Sequence, residues 1–238
     1  MQNKGMTVIT APKHGDRIDA LDTVYPTEML IVGERHREEN KTSTSYGYVI
    51  SGRARASSGG VELDLPKGGF FCLPGEFVLE PDEGVIAVIR RHGYRGQRVA
   101  GTLEERGRLS YIDGCSDSLL VYPPRLGDPC LNFLHFPPGI AQTQHTHPTV
   151  RFGIVARGKG KAFRVPSAGS SGWEIDLTEG CVFLLNEQEQ HSFRTDQSDS
   201  IMDVIAYHPD SDWGPTDAAH PMRNRTYIGN DRTGQAGT

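Results

Sequence analysis

The sequence predicts an all-β chain made of two consecutive copies of one β unit. Three observations lead there. Glycine and proline are frequent, 28 and 15 of 238 residues, and no long stretch repeats an apolar residue at helical spacing, which favours short strands joined by tight turns. Tyr46–Ala56 (YGYVISGRARA) returns as Phe152–Ala162 (FGIVARGKGKA), and Val61–Gly68 (VELDLPKG) returns as Trp173–Gly180 (WEIDLTEG), in the same order. Finally, the second copy carries His145, His147 and His191, which the first copy lacks.

Taken in order, residues 1–24 read as an arm with one short strand near Thr7–Thr10, broken by Pro12 and Gly15. Glu28–Glu34 is the next strand, and the charged run Arg35–Lys41 is a solvated edge or loop. Tyr46–Ala56 is a strand, a turn at Gly52 and a second strand. Val61–Leu65 alternates apolar and polar residues, as a half-buried strand does. Phe70–Leu73 ends at Pro74-Gly75, and Gly84–Arg90 is another strand. Gly93–Ser110 is polar, with a turn of helix expected at Leu103–Arg106, and serves as a linker. Ser118–Tyr122 and Asn132–Phe136 lead into a strand through Gly139–His147. Val150–Ala156, its hairpin partner Lys159–Val165, Trp173–Leu177, Cys181–Leu185, Gln190–Arg194 and Ile201–Tyr207 complete the second copy. The segment from His208 to Tyr227, with Trp213, Pro221 and Met222, is expected to wrap a barrel as an ordered tail, with His220 in it exposed to solvent. Residues 229–238 read as a flexible tail.

The histidines are the chemical signal. His145 and His147, two apart, share one face if their segment is extended, and His191 arrives from a later strand. Three neutral imidazoles from two strands can hold a divalent transition metal with coordination positions open. The competing reading is a set of hydrogen-bonded or surface histidines. The repeat supplies a control. The offset from Tyr46 to Phe152 carries His145 onto Glu39 and His147 onto Lys41, and the offset from Gly68 to Gly180 carries His191 onto Leu79. A fold that needs its glycines in both copies needs the histidines in only one, so chemistry is assigned to the second copy.

These residues resemble the motifs of the cupin superfamily. Gly139, His145, His147 and Gly158 fall in register with its first motif, and Arg151 (or Phe152 at the longer spacing) stands where the motif has a glutamate. Gly180 and His191 fit the second motif, with Asn186, Gln188 and Thr195 in place of its Pro, Gly and Asn. The resemblance implies two tandem jelly-roll cupin barrels, a bicupin: residues 1–105 without the ligand histidines, and 106–228 with a three-histidine site. Three-histidine thiol dioxygenases and quercetinase-like bicupins are the nearest chemical likeness. That implies a metal-dependent oxidoreductase of dioxygenase type with Fe(II) favoured, while Zn, Ni and Mn stay open. A non-oxidative Zn or Ni enzyme (lyase, isomerase or bond-forming) and a non-catalytic ligand-binding cupin are the alternatives.

Other candidates surround the triad. Arg151, on the parity of the histidines, would hold a substrate carboxylate bidentately; facing outward, it would be a solvated arginine. Thr143 and Thr149 share that parity. Phe133 and His135 are candidates to line the cavity, and Glu189 is a candidate general base. Tyr207 and His208 end the last strand, near a pocket mouth.

A net charge of −5 with no basic block argues against nucleic acid and anionic membranes as partners. The N-terminus has no signal-type apolar core and no run is long enough to span a bilayer, so a cytoplasmic protein is expected. Cys72, Cys115, Cys130 and Cys181 are scattered, as reduced buried thiols are. The expected partner is a small molecule, and a homodimer is compatible with cupin barrel edges.

Overall fold

In the computed structural model the chain is described over residues 2–3, 5–125, 127–166, 171–196 and 200–211. Its strands are β1 (Gln2–Asn3), β2 (Met6–Ile9), β3 (Arg17–Ala20), β4 (Thr27–Val32), β5 (His36–Glu38), β6 (Thr44–Val49), β7 (Arg53–Ser58), β8 (Val61–Pro66), β9 (Gly69–Pro74) and β10 (Phe77–Asp82). They continue as β11 (Ile86–Arg91), β12 (Val99–Thr102), β13 (Leu109–Ser110), β14 (Ser116–Val121), β15 (Cys130–Phe136), β16 (Arg151–Arg164), β17 (Trp173–Thr178), β18 (Val182–Leu185), β19 (Ser192–Arg194) and β20 (Met202–His208). Among the described residues no helix is long and apolar enough to cross a membrane. The wrapping segment and tail expected beyond Ser211, with Trp213, His220, Pro221 and Met222, lie outside the described residues.

Pairing follows the sequence repeat. One sheet runs β12-β9-β6-β11-β4-β3, and another runs β2-β18-β16-β20-β15-β14 between the short strands β1 and β13. A second layer runs β5-β10-β7-β8 in the first half. In the second half its place is taken by isolated bridges at Ala141 and His145, β19, the outer part of β16, and β17. The outermost strands are exchanged: β12, inside the expected linker, covers β9, whereas β2 at the N-terminus covers β18.

Three apolar cores fill the layers. Val32, Phe71, Leu73, Phe77, Leu79 and Val88 pack within the first half. Leu134, Phe136, Phe183, Leu185, Phe193 and Val204 pack within the second. The two large sheets meet face to face through Tyr46, Phe70, Ile89, Phe133, Phe152 and Tyr207, with the Tyr46 and Tyr207 rings 4.9 Å apart. Side-chain alternation explains the division, since each central strand sends alternate residues to each core.

The repeated glycines mark backbone contacts. Gly52 and Gly158 have φ of +68° and +72°. A Cβ on Gly52 would lie 1.8 Å from the carbonyl oxygen of Glu83, and one on Gly158 would lie 2.0 Å from that of Ile201. No L side chain fits either place.

Four expectations need correction. Residues 139–147 form no strand; bridges pair only Ala141 with Arg194 and His145 with His191. Gly158 does not end a strand, because β16 runs through it after a register slip between Val155 and Arg157. No helical turn forms at 103–106; a 3-10 turn lies instead at Ile112–Gly114. Strand pairing also matches Leu79, opposite Ala56, with Phe193, opposite Ala162, so His191 corresponds to Phe77 rather than Leu79.

Candidate metal centre

Two irregular segments bring the three histidines together. The backbones of His145 and His191 exchange both N–H···O bonds at 3.0 Å, and the Gln188 N–H donates to the His147 carbonyl at 2.8 Å. From Ala141 to His145 four steps face the three from His191 to Arg194. This one-residue bulge re-aims the side chains between the bridges. His145, His147 and His191 each offer one ring nitrogen, and these lie within 4.8 Å of one another. Ring centroids are 4.5 to 5.1 Å apart.

Backbone carbonyls set two of the rings. His145 Nδ1–H donates to the Thr143 carbonyl at 3.0 Å, and His191 Nδ1–H to the Glu189 carbonyl at 2.8 Å. Each bond leaves Nε2 with its lone pair, the tautomer a metal ligand needs. Burial, then the His145 ring and Arg151, pushes His191 down to about 3 against the pull of the Glu189 carbonyl. Burial lowers His145 as well, and burial with Arg151 and the other histidines holds His147 well below the imidazole range. At neutral pH all three are uncharged.

These residues fit a divalent metal. His191 Nε2 and His147 Nδ1 are buried with no partner among the described residues, and a buried polar atom left so is costly. A set of three neutral imidazoles suits Fe, Zn, Ni or Cu.

Arg151, the first residue of β16, is 6% exposed and reaches the same cavity. Its NH1 donates to the carbonyls of Thr149 (3.1 Å) and Val150 (2.9 Å) and to Thr149 Oγ1, and lies 3.6 Å from Asp210 Oδ1. The cavity holds about 30 Å³, with Leu134, Phe136, Phe183, Leu185 and Phe193 as its apolar wall.

The other expected residues lie elsewhere. Leu134 and Phe136 of β15 face the cavity, so Phe133 and His135 face away from it. Phe133 packs between the two large sheets, and His135 Nδ1 meets Asp203 Oδ1 at 2.6 Å. The Glu189 carboxylate is held by Arg164 (2.6 Å) and Trp173 Nε1 (2.9 Å), outside the cavity lining. Thr143 is exposed, and Tyr207 is in the core between the sheets. His208 does line the cavity, its ring centroid 6.1 Å from that of His147. Tyr111 and Gln142 line it too. Sequence reasoning missed both, since they come from irregular segments with no periodicity to read.

The matching place in the first half is filled differently. Glu38 pairs with Phe77 as His145 pairs with His191. Arg90, at the position of His208, bonds Glu38 and lies 2.9 Å from Glu28. Glu28 also meets Arg17 at 3.0 Å and His92 at 2.8 Å.

No protein-family model matches the sequence, and no curated protein matches it significantly. Solved structures do. A cupin 2 conserved barrel domain protein from Leptotrichia buccalis superposes with a TM-score of 0.63 at 14% identity, over 87% of this chain and 97% of that one. Bacillus subtilis oxalate decarboxylase, described with Mn(II) centres, gives 0.54 at 11% identity over 90% and 79%. A salicylate 1,2-dioxygenase mutant from Pseudoaminobacter salicylatoxidans, in complex with gentisate, gives 0.54 at 12% identity over 77% and 68%. The fold is that of cupin-domain proteins.

Proposed function

We propose that this chain is a metal-dependent enzyme acting on a small carboxylate-bearing molecule, with chemistry of the non-haem Fe(II) dioxygenase type. We place the site in the second of two cupin units, residues 106–228, with residues 1–105 as a unit that carries no ligand histidines. The observation that carries the reading is the group of three uncharged imidazoles with ligand atoms within 4.8 Å.

In this reading His145, His147 and His191 hold the divalent ion. Once bound, the metal would supply a Lewis-acid centre and, if it is iron, a one-electron relay between dioxygen and a substrate that itself gives up the electrons. The protein's part is binding and orientation. Three neutral ligands leave the ion's charge uncompensated, and Arg151 adds a permanent positive charge. Asp210 offsets part of it. Such a site favours an anion, and the guanidinium fork suits a carboxylate. The apolar wall limits water around the site, and the narrow cavity favours a substrate with a small group at the reacting end. The likeness to an oxalate decarboxylase and a salicylate dioxygenase supports chemistry on small acids in this fold.

The same uncompensated charge favours a second, non-oxidative reading in which Zn or Ni acts as the Lewis acid. Metal analysis of the purified protein, then oxygen uptake with small carboxylic acids, thiols and catechols, separates the two. The first reading expects about one iron per chain, lost in His147→Ala, and turnover that stops without oxygen. Undiminished turnover under anaerobic conditions would leave only the second. Wild-type protein that retains no divalent metal at all would remove both.

A further inference from the structure

Arg151 is held by more than its own backbone. Its NH1 donates to Thr149 Oγ1, and Thr149 Oγ1 donates to Asp210 Oδ1 at 2.5 Å. The direction of this chain is forced. Guanidinium only donates, ionised carboxylate only accepts, and a hydroxyl has one proton. The threonine must therefore accept from Arg151 and give its single proton to Asp210. Direct attraction across 3.6 Å closes the triangle. Asp210 follows β20 by two residues, and Thr149 precedes β16 by two, so the contact joins the ends of two neighbouring strands at the cavity.

We infer that Thr149 and Asp210 are positioning residues, which aim the Arg151 guanidinium at an anion held beside the three histidines. This rests on the anion-binding reading of Arg151 proposed above. An arginine side chain has many rotamers, and a fork that must meet a carboxylate in one plane loses binding when it swings. Anchoring NH1 on one side fixes the plane of the whole group. The hydroxyl is needed because it accepts and donates at once. Asp210 supplies the charge that strengthens the chain and keeps the buried cation in place.

The test uses the full-length protein loaded with Co(II), with acetate as the anion probe. Acetate binding is followed through the visible absorption of the metal, and Co(II) affinity by competition with a chelator. Thr149→Val and Asp210→Asn are expected to weaken acetate binding about tenfold, the scale of one lost hydrogen bond to a charged group, with Co(II) affinity unchanged. Thr149→Ser is expected to restore wild-type binding. A purely structural role would move metal affinity and thermal stability together and would not be rescued by the hydroxyl alone. The inference is overturned if both variants bind acetate as tightly as wild type, or if Asp210→Asn binds it more tightly, which would make Asp210 a competitor for Arg151. Arg151→Gln separates the failures. Loss of acetate binding there, with none in the other variants, overturns the positioning role alone. Unchanged binding in Arg151→Gln overturns the anion reading beneath it.

Discussion

Asp117 is a buried acid with no ion-pair partner among the described residues. It is 3% exposed on β14, and Asn132 Nδ2 donates to its Oδ2 at 2.9 Å. Asp117 Oδ1 and Asn132 Oδ1 are both buried without a partner. One proton on Asp117 removes the buried charge, whose desolvation is costly. Burial pushes the carboxyl up to about 7, against the pull of Asn132 and the Ser118 backbone. In the unfolded chain it would titrate near pH 4. Between about pH 4 and 7 the folded state thus binds more protons than the unfolded, and this contribution to stability falls as pH rises through that window. Asp117→Asn should flatten the fall. Urea midpoints between pH 5 and 8 should show the variant gaining on wild type by on the order of 2 kcal/mol; parallel curves would place the proton elsewhere. At this scale types and spacings were legible and directions were not. His145, His147 and His191 stood out because metal ligation allows few residue types. Arg151 against Phe133 and His135 was a question of which face of a strand points inward, and one residue of register decides it.

Among the elements, the N-terminal strand does its work away from its own half. β2 pairs with β18, and the Gly5 carbonyl accepts the Asn186 N–H at 3.0 Å. A Cβ on Gly5 would lie 1.9 Å from the Glu189 carboxyl carbon. That carboxylate is pinned by Arg164 and Trp173, while the Glu189 carbonyl orients His191. A side chain at residue 5 must push that carboxylate off Arg164 and Trp173, in the loop whose backbone orients His191. Gly5→Val is expected to lower metal affinity about tenfold, as loss of an outer partner of a ligand does. Chelator competition measures it, and unchanged affinity would mean that the carboxylate moves without the backbone. The exchange of β2 and β12 was hidden in the sequence because neither strand shows which sheet it will join. β10 was missed for a related reason: only Phe77 and Leu79 of it are buried, too few positions for alternation to register. The repeat was legible because Gly52 and Gly158 both meet a backbone carbonyl that leaves no room for a side chain.

Over the whole molecule, two similar strand frameworks solve the same burial problem by different means. Where the second half gathers neutral imidazoles, the first gathers Glu28, Glu38, Arg90, Arg17 and His92. Burial alone would push the Glu28 carboxyl up; the His92 hydrogen bond, Arg90 and Arg17 outweigh it and hold it below the usual range. That contribution is present above the unfolded pKa and is lost as pH falls through the folded one. The balance depends on Arg90, which bonds both buried glutamates. Arg90→Met should therefore cost about 3 kcal/mol at pH 7, because it leaves carboxylates buried without their cation. Replacing Glu28, Glu38 and Arg90 together with apolar residues of similar volume should recover most of that loss, since a buried ion cluster is worth little more than good packing. Urea unfolding of the metal-loaded protein measures both effects. Metal content should be the same in all variants, because the apolar layer around Tyr46 and Tyr207 lies between the two large sheets and carries no ligand. Metal lost from Arg90→Met at unchanged stability would show that the ion cluster acts on the histidine site across that layer.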